Sequence, residues 1–316
     1  MTARKSFLTK IFLGILLSFL LTLLLIIPGK AYPAQSEPYR TESFTINTPG
    51  QLDVRTSGGH IEVKGSSTNK VRVEMYVRKN GHNILPEDSD LKDWDIDISQ
   101  SGHQVKAIAK HHSNWHLFGG SHTSISFVVY TPREMSSDLK TSGGHIEAQG
   151  LSGNQKIATS GGHLKLAELK GTIDARTSGG HISINDVQGN LKAHTSGGHI
   201  DVQNSEGDLT VRTSGGHIRL ADVSGTVNAS TSGGGITADL RSINKSVKLR
   251  TSGGNINISV PADIGLNLRL KGSYVSTKLQ NFSGEVDRDE VDGKLNGGGP
   301  QITARTSGGT VELSFK

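Results

Sequence analysis

The chain has no cysteine in its 316 residues, which removes disulfides, thiolate metal sites, a cysteine nucleophile and the lipidated cysteine of a bacterial lipoprotein. An exported domain of this size is then held by its core and its backbone ladders. A basic excess is also lacking where one would matter. The formal charge is +5, but Arg4, Lys5, Lys10 and Lys30 lie in the first 31 residues with no acid beside them; 34 basic residues less these four leave 30 against 29 acidic ones. The resulting charge of +1 leaves no overall basic excess of the kind a nucleic-acid binder keeps in its folded part, and nothing suggests one. Missing too are a P-loop, a GxSxG elbow, an HExxH pair and a dinucleotide fingerprint. The nine-residue calcium repeat GGxGxDxUx is not met either, because His and then Ile or Leu follow the GG pair in the regular copies and the third glycine and the Asp are absent from their places.

What is present begins with a 17-residue run without a charge, Ile11 to Ile27, preceded by Arg4, Lys5 and Lys10 and followed by Pro28, Gly29, Lys30 and Ala31. Small residues at the minus 3 and minus 1 places of a cut after Ala31 mark residues 1–31 as a secretory signal peptide. The run is also barely long enough to span a bilayer, so an uncleaved N-terminal membrane anchor is the alternative.

The rest is organised by a repeat. TSGGH followed by Ile or Leu starts at Thr141, Thr159, Thr177, Thr195 and Thr213, then loosens to TSGGGI at Thr231 and TSGGNI at Thr251. The first six copies start 18 residues apart and the seventh follows after 20, with outlying copies at Thr56 and Thr306. A fixed short period means that each unit stacks on its neighbours instead of folding alone. In one unit Ile173 and Ala175 precede the turn, Ile182 and Ile184 follow it, and Val187 marks a second corner; one unit later these are Leu191, Ala193, Ile200, Val202 and Ser205. Two apolar i, i+2 pairs per unit are two strands with alternate side chains inward, and the period and the glycine pairs exclude helices. The expected fold is all-β: a single parallel β-solenoid, β-helix or β-roll-like, of 18-residue coils. We expect about seven to ten coils, spaced about 4.8 Å apart.

The glycine pairs Gly143 and Gly144, Gly161 and Gly162, Gly179 and Gly180, Gly197 and Gly198, and Gly215 and Gly216 are structural turns in this reading. Two reasons are expected: a positive φ, and a Cβ that would collide with the next layer. The Thr and Ser ahead of them suit stacked hydroxyl bonds. Residues 39–140 form a strand-rich N-terminal region in which a first coil is followed by an insertion over 80–125. Residues 141–255 are the regular solenoid, and 256–316 are C-terminal coils and a cap that covers the open end of the stack.

The N-terminal signal, the strand-rich opening, the TSGGHI coils and the ending LNGGGPQITARTSGGTVELSF at Leu295 to Phe315 resemble the putative-adhesin family of bacterial β-strand-repeat (TSGG-repeat) proteins, whose function is unknown. The resemblance spans roughly residues 40–316. It implies an exported bacterial β-solenoid, with adhesin a label of shape, and it brings no catalytic residues.

Two outward columns follow from the repeat. His145, His163, His181, His199 and His217 line one edge, where close imidazoles could ligate a transition metal, respond to pH or simply stack without a ligand. Lys140, Ala158, Arg176, His194, Arg212, Ser230 and Arg250 run along the other side of the same turn and make the edge mildly electropositive, which suits an anionic glycan or surface polymer. The candidate ligand-binding residues are therefore the five histidines with Arg176, Arg212 and Arg250. In the insertion, His111, His112, His116 and His122 have enough imidazoles for a zinc site, with His103 able to join, although no carboxylate sits among them. The acidic strand Asp93, Asp95 and Asp97 reads as solvated carboxylates without the glycine that a calcium loop needs at its turn, and in the acidic loop Glu285 to Gly293 the carboxylates from Asp287 on fall out of register with that pattern by one place.

The functional expectation is a non-enzymatic, exported, adhesin-like scaffold or binding protein of the cell envelope or surface. It would lie in the periplasm, on the outer surface or free outside, or be held by an uncleaved anchor at the inner membrane. Its partner would be an envelope glycan or a surface protein, not nucleic acid, and no cofactor is implied. The membrane would be met only through the N-terminal segment. The alternatives are a polysaccharide-active β-helix enzyme with carboxylates gathered on a coil face, and a metal-binding envelope protein using the histidines.

Overall fold

Inward and outward residues alternate as the sequence dictates. Ile173, Ala175, Ile182 and Ile184 are at most 1% exposed, while Arg176 and Ser183 between and beside them face solvent. Burying each Ile or Leu of such a column contributes roughly 1.5–3 kcal/mol. The computed structural model describes residues 37–88, 91–112 and 123–316, and their 24 strands all belong to one unit, Pro38–Lys316. A 3-10 turn at Pro86–Asp88 is the helical element among the described residues, and no helix there is long and apolar enough to cross a membrane. The expected signal or anchor, residues 1–31, lies outside the described residues.

The register is parallel. Ile146 pairs with Leu164, Leu164 with Ile182, Ile182 with Ile200, Ile200 with Ile218 and Ile218 with Ile236. On the other face, Ile157 pairs with Ala175, Ala175 with Ala193, Ala193 with Val211 and Val211 with Ala229. The fold is all-β and β-solenoid-like. The second corner is less of a break than the sequence led us to expect. Leu164–Arg176, Ile182–His194 and Ile218–Ser230 each run through it as one 13-residue strand. The ladder resumes on both sides of a left-handed residue: Glu168 (φ 53°), Asp186 (φ 56°), Asn204 (φ 50°) or Asp222 (φ 55°). The two extra residues before Thr251 are absorbed at this corner, where Gly225 faces Ile243 and Val227 faces Val247 with the register shifted between them.

At both ends, order along the chain departs from order in space. Near the N-terminus, Gly50–Thr56 lies between Gln104–His111 and Met135–Thr141, parallel to both. Ile61–Ser66 lies in the same way between Thr123–Pro132 and Ile146–Gln149. The first TSGG coil thus stacks directly on the second, and the inserted segment supplies the layer beyond it. Near the C-terminus, Gln301–Thr306 and Thr310–Phe315 stack on Ile236–Thr251 and Ile256–Val260. The strands Leu266–Lys271 and Tyr274–Thr277 lie on their far side, and antiparallel Glu290–Leu295 covers the former.

Candidate functional site

The TSGG corner repeats as a set of side-chain and backbone bonds between layers. Thr177 Oγ1 is buried, donates to the carbonyl of Gly162 in the layer before (2.8 Å) and accepts the N–H of Gly180 in its own turn (3.3 Å). The same pair of bonds is made by Thr141, Thr159, Thr195, Thr213, Thr231, Thr251 and Thr306. One expected reason for the glycine pairs is overturned: none of these corner glycines has a left-handed φ. The other reason holds, but only for the second glycine. A Cβ on Gly180 would fall on the carbonyl oxygen of Gly162, far inside 3.0 Å, whereas one on Gly179 would meet nothing closer than 3.8 Å. Left-handed glycine belongs to the second corner, in the column Gly153, Gly171, Gly189, Gly207 and Gly225 (φ 112–132°), spaced 18 residues apart in the sequence.

The five histidines do form one outward column, and His60 of the outlying N-terminal copy extends it. Successive ring centroids are 5.0, 4.8, 4.9, 4.9 and 5.3 Å apart from His60 to His217, with planes 4–23° from parallel. Each Nδ1 accepts the backbone N–H of the equivalent residue in the next layer, at 2.8–2.9 Å: His145 on His60, His163 on His145, His181 on His163, His199 on His181, His217 on His199 and Gly235 on His217. An Nδ1 that accepts places the ring proton on Nε2. At two positions without histidine the acceptor persists, since Ser126 Oγ receives the N–H of His60 and Asn255 Oδ1 that of Thr310. The ring is thus a structural acceptor for an N–H that the strand ladder leaves over. For His60, burial pushes the pKa below the ordinary histidine value, His145 and Arg78 push the same way, and Glu147 opposes them.

A shared metal fits this column poorly. Zinc–nitrogen bonds of about 2.0–2.1 Å bring two donors to within about 4.2 Å of each other. Nearly parallel rings 4.8–5.3 Å apart hold equivalent nitrogens further apart than that. Of the loop histidines, His111 packs edge-on against Trp94 at 5.1 Å, and the His112 N–H donates to the carbonyl of Asp93; His116 and His122 lie outside the described residues. His103 stands apart from His111. It precedes Gln104 at the turn of the hairpin in which Trp94 pairs with His111, so it lies about 25 Å along the strand from His111. Among the described residues, no three His, Asp or Glu side chains gather where they could hold a metal.

The second column extends beyond the residues seen from the sequence, to Arg55 beside Lys140 and to Arg305 beside Arg250. Its N-terminal members are neutralised by neighbours two residues earlier. Asp53 and Asp138 hold Arg55, Asp138 also holds Lys140, and Asp174 holds Arg176. The hydrogen bonds that the Arg55 and Arg176 guanidinium groups donate to Asp53 and Asp174 raise their pKa values above the ordinary arginine value. Beside the histidines on the other flank, Glu147, Lys165, Ser183, Asp201 and Arg219 alternate in charge, with Lys165 paired to Glu147 at 3.3 Å. Where Gly235 replaces the next histidine, a depression of about 660 Å³ opens, lined by His217, Arg219, Asn255 and Asn257. A larger cavity of about 780 Å³ lies at the C-terminal end, among Tyr274, Thr277, Lys278, Leu313 and Phe315.

A family model described as Toastrack DUF4097 matches residues 41–314, nearly the whole described body. The chain belongs to the Toastrack family. Two solved structures resemble this Toastrack chain at 9% identity. A putative cell adhesion protein from Clostridium sporogenes aligns over 89% of this chain and 100% of its own, with a TM-score of 0.23. A putative adhesin (BF0245) from Bacteroides fragilis aligns over 88% and 96%, with a TM-score of 0.37. No curated protein matches the chain.

Proposed function

We propose that this Toastrack protein is a non-enzymatic, exported scaffold of the cell envelope or surface, a single parallel solenoid of 18-residue coils that presents one repeated edge to a ligand or partner. The observation that carries this reading is the layer-to-layer identity of the TSGG edge. Threonine, glycine and histidine recur with the same partners in successive layers, so what is displayed is a lattice and not a singular constellation. The histidine nitrogen that a general base would use is already engaged as an acceptor of a backbone N–H. Export is supported by the uncharged run Ile11 to Ile27 with its basic and small-residue flanks.

A glycan array together with a polysaccharide-cleavage assay on the purified protein tests the reading. Retention of envelope glycans without cleavage is the expected result. Chain cleavage would sink it in favour of an enzyme acting along the layers. N-terminal sequencing of protein recovered from the envelope and from the medium tests the export step, with a new terminus after Ala31 expected.

A further inference from the structure

We infer that the C-terminal half of one sheet face is a binding strip for a linear polyanion without bases, its charges carboxylate or phosphate, lying along the stacking direction. The inference rests on the scaffold reading and names the ligand class of its edge. Two side-chain columns define the strip. His194, Arg212, Ser230, Arg250 and Arg305 occupy one register position in five successive parallel strands, and Lys192, Thr210, Asn228, Lys248 and Thr303 occupy the position two residues earlier. All six basic side chains are exposed. At about 4.8 Å per layer, the strip from His194 to Arg305 spans roughly 19 Å.

What sets these five layers apart is the absence of internal neutralisation. None of the ion pairs among the described residues involves Lys192, Arg212, Lys248, Arg250 or Arg305, and the acids of these layers on this face, Glu206 and Asp208, both lie on one strand, four or more residues ahead of Arg212. On both sides the pattern reverses. In the preceding layer Arg176 is held by Asp174; in the layers following, Arg269 is held by Asp292 and Lys271 by Glu290. The net charge of the mature chain is close to zero, so this is a local segregation of charge and not a reflection of a basic protein. A row of free guanidinium groups in register offers forked donors to successive carboxylates or phosphates of one chain. Apart from the His194 ring, the face shows only Ser, Thr, Asn, Gln, Asp, Glu, Lys and Arg, so stacked bases find no aromatic platform. That favours a polyuronate or polyphosphate-type polymer over single-stranded nucleic acid. The opposite outward column, from Glu147 to Arg219, mixes both signs and offers no such row.

Isothermal titration of the purified protein with polygalacturonate and with inorganic polyphosphate tests the inference, with dextran and single-stranded DNA as comparison polymers. Wild type should bind one or both polyanions, dextran not at all and DNA more weakly. The combined change Arg212→Gln, Arg250→Gln and Arg305→Gln should weaken binding by about tenfold or more and flatten its salt dependence. Arg250→Glu alone, at an exposed site that leaves the melt intact, should act in the same direction. Lys165→Gln, which removes a cation already paired with Glu147 on the opposite flank, should change affinity less than about twofold. Equal affinity of wild type and the triple variant, no polyanion binding by wild type, or preference for DNA would each overturn the strip. Retention of neutral glycans with no polyanion binding would leave the scaffold reading standing, whereas cleavage of either polymer would sink that reading whatever the strip does.

Discussion

The backbone N–H of His181 donates to Nδ1 of His163 at 2.8 Å, and the two imidazoles stack 4.9 Å apart. The link makes the histidine a part of the lattice, so its replacement should be judged by whether an acceptor remains. His181→Ala should cost about 0.5–1.5 kcal/mol, the usual net value of one such bond, because the N–H of His199 loses its partner. His181→Asn should cost less, since Asn255 already does this work toward Thr310. Chemical denaturation of the two variants checks the order; equal losses would assign the effect to ring stacking.

Acid should weaken the N-terminal end of the column. The folded pKa of His60 lies below its ordinary value of about 6.5. The folded state therefore binds fewer protons than the unfolded one as pH falls. The stability from His60 is fully present above the unfolded value and is lost as pH falls through the folded value. Protonation also turns Nδ1 into a donor facing the N–H of His145. Melting midpoints followed from pH 7.5 to pH 4.5 should fall on acidification, and His60→Asn should make that fall shallower.

At the TSGG corner the two glycines should differ. Gly180→Ala sets a Cβ against backbone that cannot move without disturbing the layer before it, so it should be among the most damaging single changes in the repeat. Gly179→Ala has room and should cost less than about 1 kcal/mol. Thr177→Ala should fall between them, at about 1–3 kcal/mol, because it strands the Gly162 carbonyl and the Gly180 N–H in a buried corner. Thermal melts of the three variants give the order; a Gly179→Ala loss as large as that of Gly180→Ala would refute the close-approach account.

Period and alternation made the layers legible, because Ile182, Ile184, Leu191 and Ala193 can only all be buried if strands stack in register. The spatial order at the ends was not legible. That Arg305 lies beside Arg250, with Lys271 beyond it, depends on which of several similar strands reaches the open ladder first. Nor does residue type reveal that a histidine Nδ1 accepts a backbone N–H, since that depends on ring orientation. The outward direction of His145 and Arg212 followed from neighbours known to point inward, whereas the separation of paired from free cations followed from Asp53, Asp138 and Asp174. Those acids are visible in the sequence two residues ahead of Arg55, Lys140 and Arg176, a spacing that places both side chains on one face of a strand.

Glu168 holds a left-handed conformation (φ 53°) at the second corner, where the equivalent residues are Gly150, Asp186, Asn204 and Asp222. Glycine takes this conformation freely and Asn and Asp tolerate it, while other L-residues incur roughly 1–2 kcal/mol. The Glu168 carboxylate makes one exposed hydrogen bond, from Gln149 Nε2 at 2.9 Å, which offsets little of that. Glu168→Asn should therefore stabilise the protein by a few tenths of a kcal/mol to about 1 kcal/mol, and Glu168→Gly should gain less than the full strain because it loosens the unfolded chain. Asp186→Ala is the reciprocal test, moving a tolerant residue to an intolerant one at the same turn, and should destabilise by about 1 kcal/mol. Urea midpoints of the three variants decide it: if Glu168→Asn lowers the midpoint, the corner does not carry the strain assigned to it.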